Sequence, residues 1–256
     1  MQKAVSITTL FVETPFYSRF AQAKAAGFDW VEIGDWIELD LTRVSDELRA
    51  NGLRLAGLAG AEHYALTNPE QREDFLEHLS QSIAVAKSLN CKNVIIRSSD
   101  GAQSMPLLPD GQSHVAKIAA VTRALMDAAA KAFRSGVTLQ VNPLFGAAVP
   151  GAFFVAVHAA GEVVKVIDSP ALQLLFPLDP VPALENGSIE NLLRYRKHVG
   201  YIHISGKQDC SPAGGTVDLS LLRQVVQDEL DFKGIACFVS GTGDDIGGDP
   251  AGWPAF

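Results

Sequence analysis

The groups in this chain best suited to moving a proton are His203, Glu62 and Asp179. An imidazole gains and loses a proton near neutral pH, and a carboxylate within reach can orient it or share the work. Arg97 offers a different chemistry. It closes the apolar run Val94-Ile-Ile96, so its charge arrives at the end of a buried strand, where leaving it without a partner is costly. A carboxylate or phosphate of a ligand would satisfy it, and so would Glu62 or Glu32. Glu32 itself ends the run Trp30-Val31, and it reads either as a ligand-facing acid or as support for a hydrogen-bond network. Asp179 carries a competing reading too, since Pro177, Pro180 and Pro182 surround it and a turn aspartate bonds backbone amides.

Groups so far apart in sequence need a scaffold that brings them to one place. Short apolar runs alternate with longer stretches of helical period about eight times. The expected strands are Ala4–Thr9, Trp30–Ile33, Arg54–Leu58, Asn93–Arg97, Val137–Val141, Leu172–Leu178, Tyr201–Ser205 and Ile235–Ser240. Their continuous apolar character suits strands covered on both faces, as in a parallel sheet. Thr14-Pro15 and Asn68-Pro69 read as helix starts. Phe75, Leu79, Ile83 and Ala86 form one apolar stripe, and Val115, Ile118, Val121 and Leu125 another. Ser188 begins a further helix, and Asp218 or Ser220 begins the next, which Gly234 closes. Eight such units favour a closed (β/α)8 TIM barrel over an open sheet, and no Gly-x-Gly-x-x-Gly follows the first strand. Residues 1–256 are read as one domain. Only Gly241–Phe256 follow the eighth strand, so the eighth helix is expected to be short or missing, leaving a flank open to a homo-oligomeric contact. Barrels of this kind gather their working groups at the C-terminal ends of the strands. Those ends offer Thr8 and Thr9, then Glu32, Glu62 with His63, Arg97, Asn142, Asp179, His203 and Ser240.

Composition narrows the partners. A formal charge of −8 and six histidines argue against a nucleic-acid groove or a cluster of catalytic zinc ions. The three cysteines, Cys91, Cys210 and Cys237, lack metal-ligand spacing and are expected to be reduced thiols. No apolar run approaches bilayer length and no signal-peptide layout opens the sequence, so a cytoplasmic protein is expected.

The stretch from Gly136 to Phe154, with Asn142-Pro143 and Pro150-Gly-Ala-Phe-Phe154, resembles hydroxypyruvate-isomerase-like sugar isomerases of the xylose-isomerase-like TIM-barrel superfamily. Glu185-Asn-Gly187 and Gly200-Tyr-Ile-His203 extend the likeness, which weakens toward the N-terminus. The resemblance implies a divalent ion such as Mg²⁺ or Mn²⁺, held by one side chain from each of the last four strands. Those positions fall on Asn142, Pro177, His203 and Ser240, where the family carries Glu, Asp, His or Gln, and Glu. It also implies a basic substrate contact at Lys207. Hard cations want carboxylates, and Asn142, Pro177 and Ser240 supply none. No metal is therefore expected at these positions.

Two readings follow. The first is an isomerase-like protein acting on a sugar or hydroxy-carbonyl compound, with His203, Glu62 and Asp179 as replacement acid/base groups and Arg97, Lys207, Asn142, Glu32 and Ser240 as substrate contacts. The second is a barrel that binds a small anionic or carbohydrate-like ligand without turnover.

Overall fold

The computed structural model describes residues 1–61, 64–97, 113–143, 153–154, 156–178, 189–206 and 232–240. Eight strands run in chain order: β1 (Gln2–Ser6), β2 (Trp30–Asp35), β3 (Arg54–Ala59), β4 (Asn93–Arg97), β5 (Thr138–Asn142), β6 (Leu172–Leu178), β7 (Val199–Gly206) and β8 (Ile235–Ser240). Each is parallel to the next, and β8 pairs with β1, closing the barrel. Six helices are described between them: α1 (Arg19–Ala25), α2 (Leu41–Ala50), α3 (Arg72–Ser88), α4 (His114–Ser135), α5 (Val157–Ile167) and α6 (Ile189–Tyr195). The expected (β/α)8 architecture stands. The helix expected after Asp218, the Ser188 cap and the segment beyond β8 lie outside the described residues.

Strand alternation divides the core in two. Outward side chains such as Val5, Val31, Ile96, Val141, Ile202 and Phe238 pack under the helices. Inward ones, including Ala4, Ala56, Ile95, Leu175, Tyr201, Ile235 and Cys237, fill the barrel itself. A polar layer sits among the inward side chains toward the strand starts, where the Gln140 amide donates to Asn93 at 3.0 Å and to Gln173 at 3.3 Å. The barrel is thus packed from below, and only its upper inward positions are left for chemistry.

Several local expectations need correction. Strand β1 ends at Ser6, because the chain turns there and the Leu10 amide bonds back to the Ser6 carbonyl. Thr8 and Thr9 therefore lie beyond the strand, and the Thr8 hydroxyl accepts from the Gly34 amide at 2.7 Å. Thr14 is not a helix cap; its hydroxyl donates to Gln22 at 2.8 Å, and Pro15 leads into a short 3-10 turn, Phe16–Ser18. Asn68 does cap, accepting from the Glu70 amide ahead of α3. The α3 stripe is buried as expected. On α4 the expected Val121 and Leu125 are buried, whereas Val115 is 77% exposed and the buried face continues through Ala124, Ala128, Ala129 and Ala132. Small alanines let that long helix lie close to the sheet. Among the described residues, no helix is long and apolar enough to cross a membrane.

Candidate functional site

Glu32 occupies an inward position of β2, beside Ser6 of β1, and is only 6% exposed. Tyr201 and His203, two residues apart on β7, face the same interior. Strands β1 and β8 stand between β2 and β7, and beside Glu32 their inward residues include the small Ala4, Ser6 and Cys237. That leaves room for the Glu32 side chain to reach β7. Its Oε2 accepts a hydrogen bond from the Tyr201 hydroxyl at 2.8 Å and lies 2.7 Å from His203 Nε2. The His203 side chain keeps 14% exposure, so it forms the upper, accessible end of the chain Tyr201–Glu32–His203.

Electrostatics sets the protonation of this chain. Burial alone would raise the Glu32 carboxyl, but the neighbouring His203 charge and hydrogen bonds from His203, Tyr201 and Cys237 outweigh it, and the carboxyl sits below its ordinary value. Burial first, then the Cys237 and Glu32 charges, push the Tyr201 phenol well above its usual range, so it remains a donor. Burial and the Glu32 carboxylate likewise raise the Cys237 thiol. An ionised carboxylate only accepts, so Nε2 carries the proton shared with Glu32, and Nδ1 is the nitrogen through which His203 can exchange a proton with a ligand.

This arrangement makes stability depend on pH with a definite sign. A carboxylate depressed in the folded state stabilises above its unfolded value, about 4.3, and that stabilisation disappears as pH falls through the lower folded value. Unfolding midpoints followed by denaturant from pH 7 to 3 are expected to fall below about pH 4.3. In Glu32→Gln the curve should start lower at pH 7 and decline less steeply over the same acid range. An unchanged acid limb in the variant would show that Glu32 is not the ionised partner.

Gly57 on β3 contributes by what it lacks. A Cβ there would lie 3.3 Å from the Tyr201 hydroxyl and 3.4 Å from its ring. Tyr201 is fully buried and held by Glu32, so it has nowhere to go. Gly57→Val is expected to cost about 1–3 kcal/mol in a denaturant titration, as overpacked cores do. It should also displace the Tyr201 hydroxyl from Glu32.

The other expected residues distribute as follows. Arg97 and Asn142 are paired neighbours at the inward ends of β4 and β5, and Asn142 is 7% exposed. Pro177 follows Gln173 and Leu175 on the inward side of β6. On β8 the inward alternation runs through Ile235, Cys237 and Val239, so the uppermost described inward position is a valine. Of Ser240 only the strand pairing with Gly206 is described. Glu62, His63, Asp179, Lys207 and Cys210 lie outside the described residues. Glu32, expected as a substrate contact or network support, lies against His203, whose expected partners were Glu62 or Asp179. Tyr201 and Cys237 were missed. The signal for Tyr201 was available, since a Tyr-x-His spacing in a strand puts both rings on one face. Cys91 and Cys237 are both buried and unbridged.

Comparison with known proteins fits this layout. Residues 20–252 match the family described as xylose isomerase-like TIM barrel. The chain belongs to that family. A 2-oxo-tetronate isomerase of Pectobacterium atrosepticum is 25% identical over 178 residues, 67% of this chain. The match spans 65% of that relative's own length. Among solved structures, an AP endonuclease, family 2, from Brucella melitensis superposes with a TM-score of 0.80 at 21% identity, covering 94% of each chain. D-allulose 3-epimerase from Methylomonas sp. gives 0.75 at 19% identity, covering 95% of this chain and 85% of the other. The 3-keto-D-glucoside 4-epimerase YcjR from E. coli gives 0.73 at 17%, covering 96% and 94%. At such identities these structures establish the shared fold.

Proposed function

We propose that this xylose isomerase-like barrel binds a small hydroxy-carbonyl acid at its mouth and moves a proton between adjacent carbons through His203, without a divalent ion at the positions used by its relatives. The observation that carries this reading is the 2.7 Å contact between His203 Nε2 and the buried Glu32 carboxylate. A carboxylate on one ring nitrogen fixes the tautomer and stabilises the imidazolium that forms when the other nitrogen takes a proton. In the step itself, Nδ1 accepts a proton from the carbinol carbon. The C–H electron pair becomes the double bond of an enediolate, and the former carbonyl oxygen takes the charge. The carbinol hydroxyl proton passes to the former carbonyl oxygen, and return of the proton from Nδ1 to the former carbonyl carbon leaves the new carbonyl at the carbinol carbon, which completes the isomerisation. Asn142 and Arg97, adjacent across β4 and β5, are the donors assigned to the developing oxyanion and to the ligand carboxylate. Lys207, Glu62, Asp179 and Ser240 are retained as candidate contacts.

The donor set supports the absence of a hard cation. At the inward ends of β5 to β8 stand Asn142, Pro177, His203 and Val239, with no carboxylate among them. The single imidazole already has its Nε2 committed to Glu32. Mg²⁺ and Mn²⁺ want several oxygen ligands and charge neutralisation, which this set does not provide.

The substrate class comes from the Pectobacterium relative, so 2-oxo-tetronate is the first probe. The protein is incubated with it in D₂O, with and without a chelator, and deuterium at the carbon beside the carbonyl is followed by NMR. Exchange that survives chelation and disappears in His203→Gln is the expected result. Exchange that requires added Mn²⁺ overturns the metal-free step, and ligand binding without any exchange establishes a binding barrel instead.

A further inference from the structure

We propose that Glu32, His203 and Cys237 together form a binding site for a thiophilic divalent cation such as Zn²⁺, one layer below the barrel mouth. The Glu32 carboxylate, the His203 imidazole and the Cys237 thiol offer donor atoms that all lie within 4.8 Å of one another. Tetrahedral zinc bonds of about 2.0–2.3 Å place neighbouring donors about 3.3–3.8 Å apart. The 2.7 Å Glu32–His203 contact and the 4.8 Å limit within which all three donors fall bracket that spacing. The three come from different strands, β2, β7 and β8, which fixes them against the rigid barrel wall.

Charge and softness decide which ion fits. Glu32 and an ionised Cys237 neutralise a dipositive ion, whereas the upper inward positions of β5, β6 and β8 carry no anion. One sulfur, one nitrogen and one carboxylate oxygen suit Zn²⁺ or Co²⁺ and not Mg²⁺. Binding has a balanced proton count. Cys237 releases its thiol proton to solvent, and with the imidazole neutral the His203 proton moves from Nε2 to Nδ1. One proton leaves per ion bound. The consequence for the reaction above is inhibition, because Nδ1 is then protonated and cannot act as a base.

The test uses the whole protein with Co²⁺ as a spectroscopic stand-in for zinc. A thiolate-to-cobalt charge-transfer band is expected in the wild type, and it should vanish in Cys237→Ala. Zinc affinity, measured against a chromophoric chelator, should fall in that variant by at least the 10–100-fold seen for lost outer-shell partners. Mg²⁺ should compete with neither signal. Cys237→Ser provides a second variant should the alanine prove poorly folded. Zinc affinity unchanged in a folded Cys237 variant, or no cobalt band at saturating metal, overturns the site. Both readouts are independent of turnover, so they decide this proposal even where 2-oxo-tetronate is not a substrate.

Discussion

Glu32→Ala is expected to lower the unfolding free energy by about 1–3 kcal/mol, the cost of leaving buried hydrogen-bond donors without their acceptor. It should also slow His203-dependent proton exchange by roughly 10²–10⁴-fold. The stability loss has two sources. The Tyr201 hydroxyl, on a fully buried ring, loses its acceptor, and the imidazole loses the anion opposite Nε2. Glu32→Gln separates these effects. The amide oxygen can still accept from Tyr201, so much of the stability should return. The amide cannot balance an imidazolium, so the exchange rate should stay low. Urea titrations at pH 7 measure the first effect, and deuterium incorporation into 2-oxo-tetronate measures the second. If Glu32→Gln exchanges as fast as the wild type, the carboxylate only holds the barrel together. The proton-transfer role of the pair then falls.

The barrel was legible in the sequence because its signal is redundant. Apolar runs recur in the right number, and three of the strands, β4, β6 and β8, have the bounds expected of them. Errors gathered where local pattern and tertiary pairing diverge. Residues 4–9 read as one apolar strand, yet the chain turns after Ser6 so that Thr8 can hold the Gly34 amide. The site was harder for a related reason. Glu32 and His203 are 171 residues apart, and what joins them is the small size of Ala4, Ser6 and Cys237 on the strands between. No local feature of Glu32 points to His203; only strand order and inward parity do. Parity also corrects β8. Cys237 packs inside with Tyr201, which makes 239 the next inward position.

That parity yields the second large effect. Asn142→Glu, Pro177→Asp and Val239→Glu together are expected to make stability depend on Mn²⁺. Without metal, carboxylates crowded at one barrel mouth repel each other and lose hydration, so the triple variant should melt well below the wild type. With Mn²⁺ at about 100 times its dissociation constant, binding to the folded state alone restores about 2.7 kcal/mol. For a chain of this size that corresponds to roughly 5–10 °C in Tm. The wild type, with no anion at the inward ends of β5, β6 and β8, should show no such rise. Placing the last carboxylate at Ser240 instead of Val239 is the control, and it should respond no more than Asn142→Glu with Pro177→Asp alone. Thermal melts over a Mn²⁺ series compare the four proteins. A larger response from the Ser240 variant than from the Val239 variant would place residue 240 at the mouth and undo the β8 assignment. A flat response from both would mean that His203 stays with Glu32 even when carboxylates surround it.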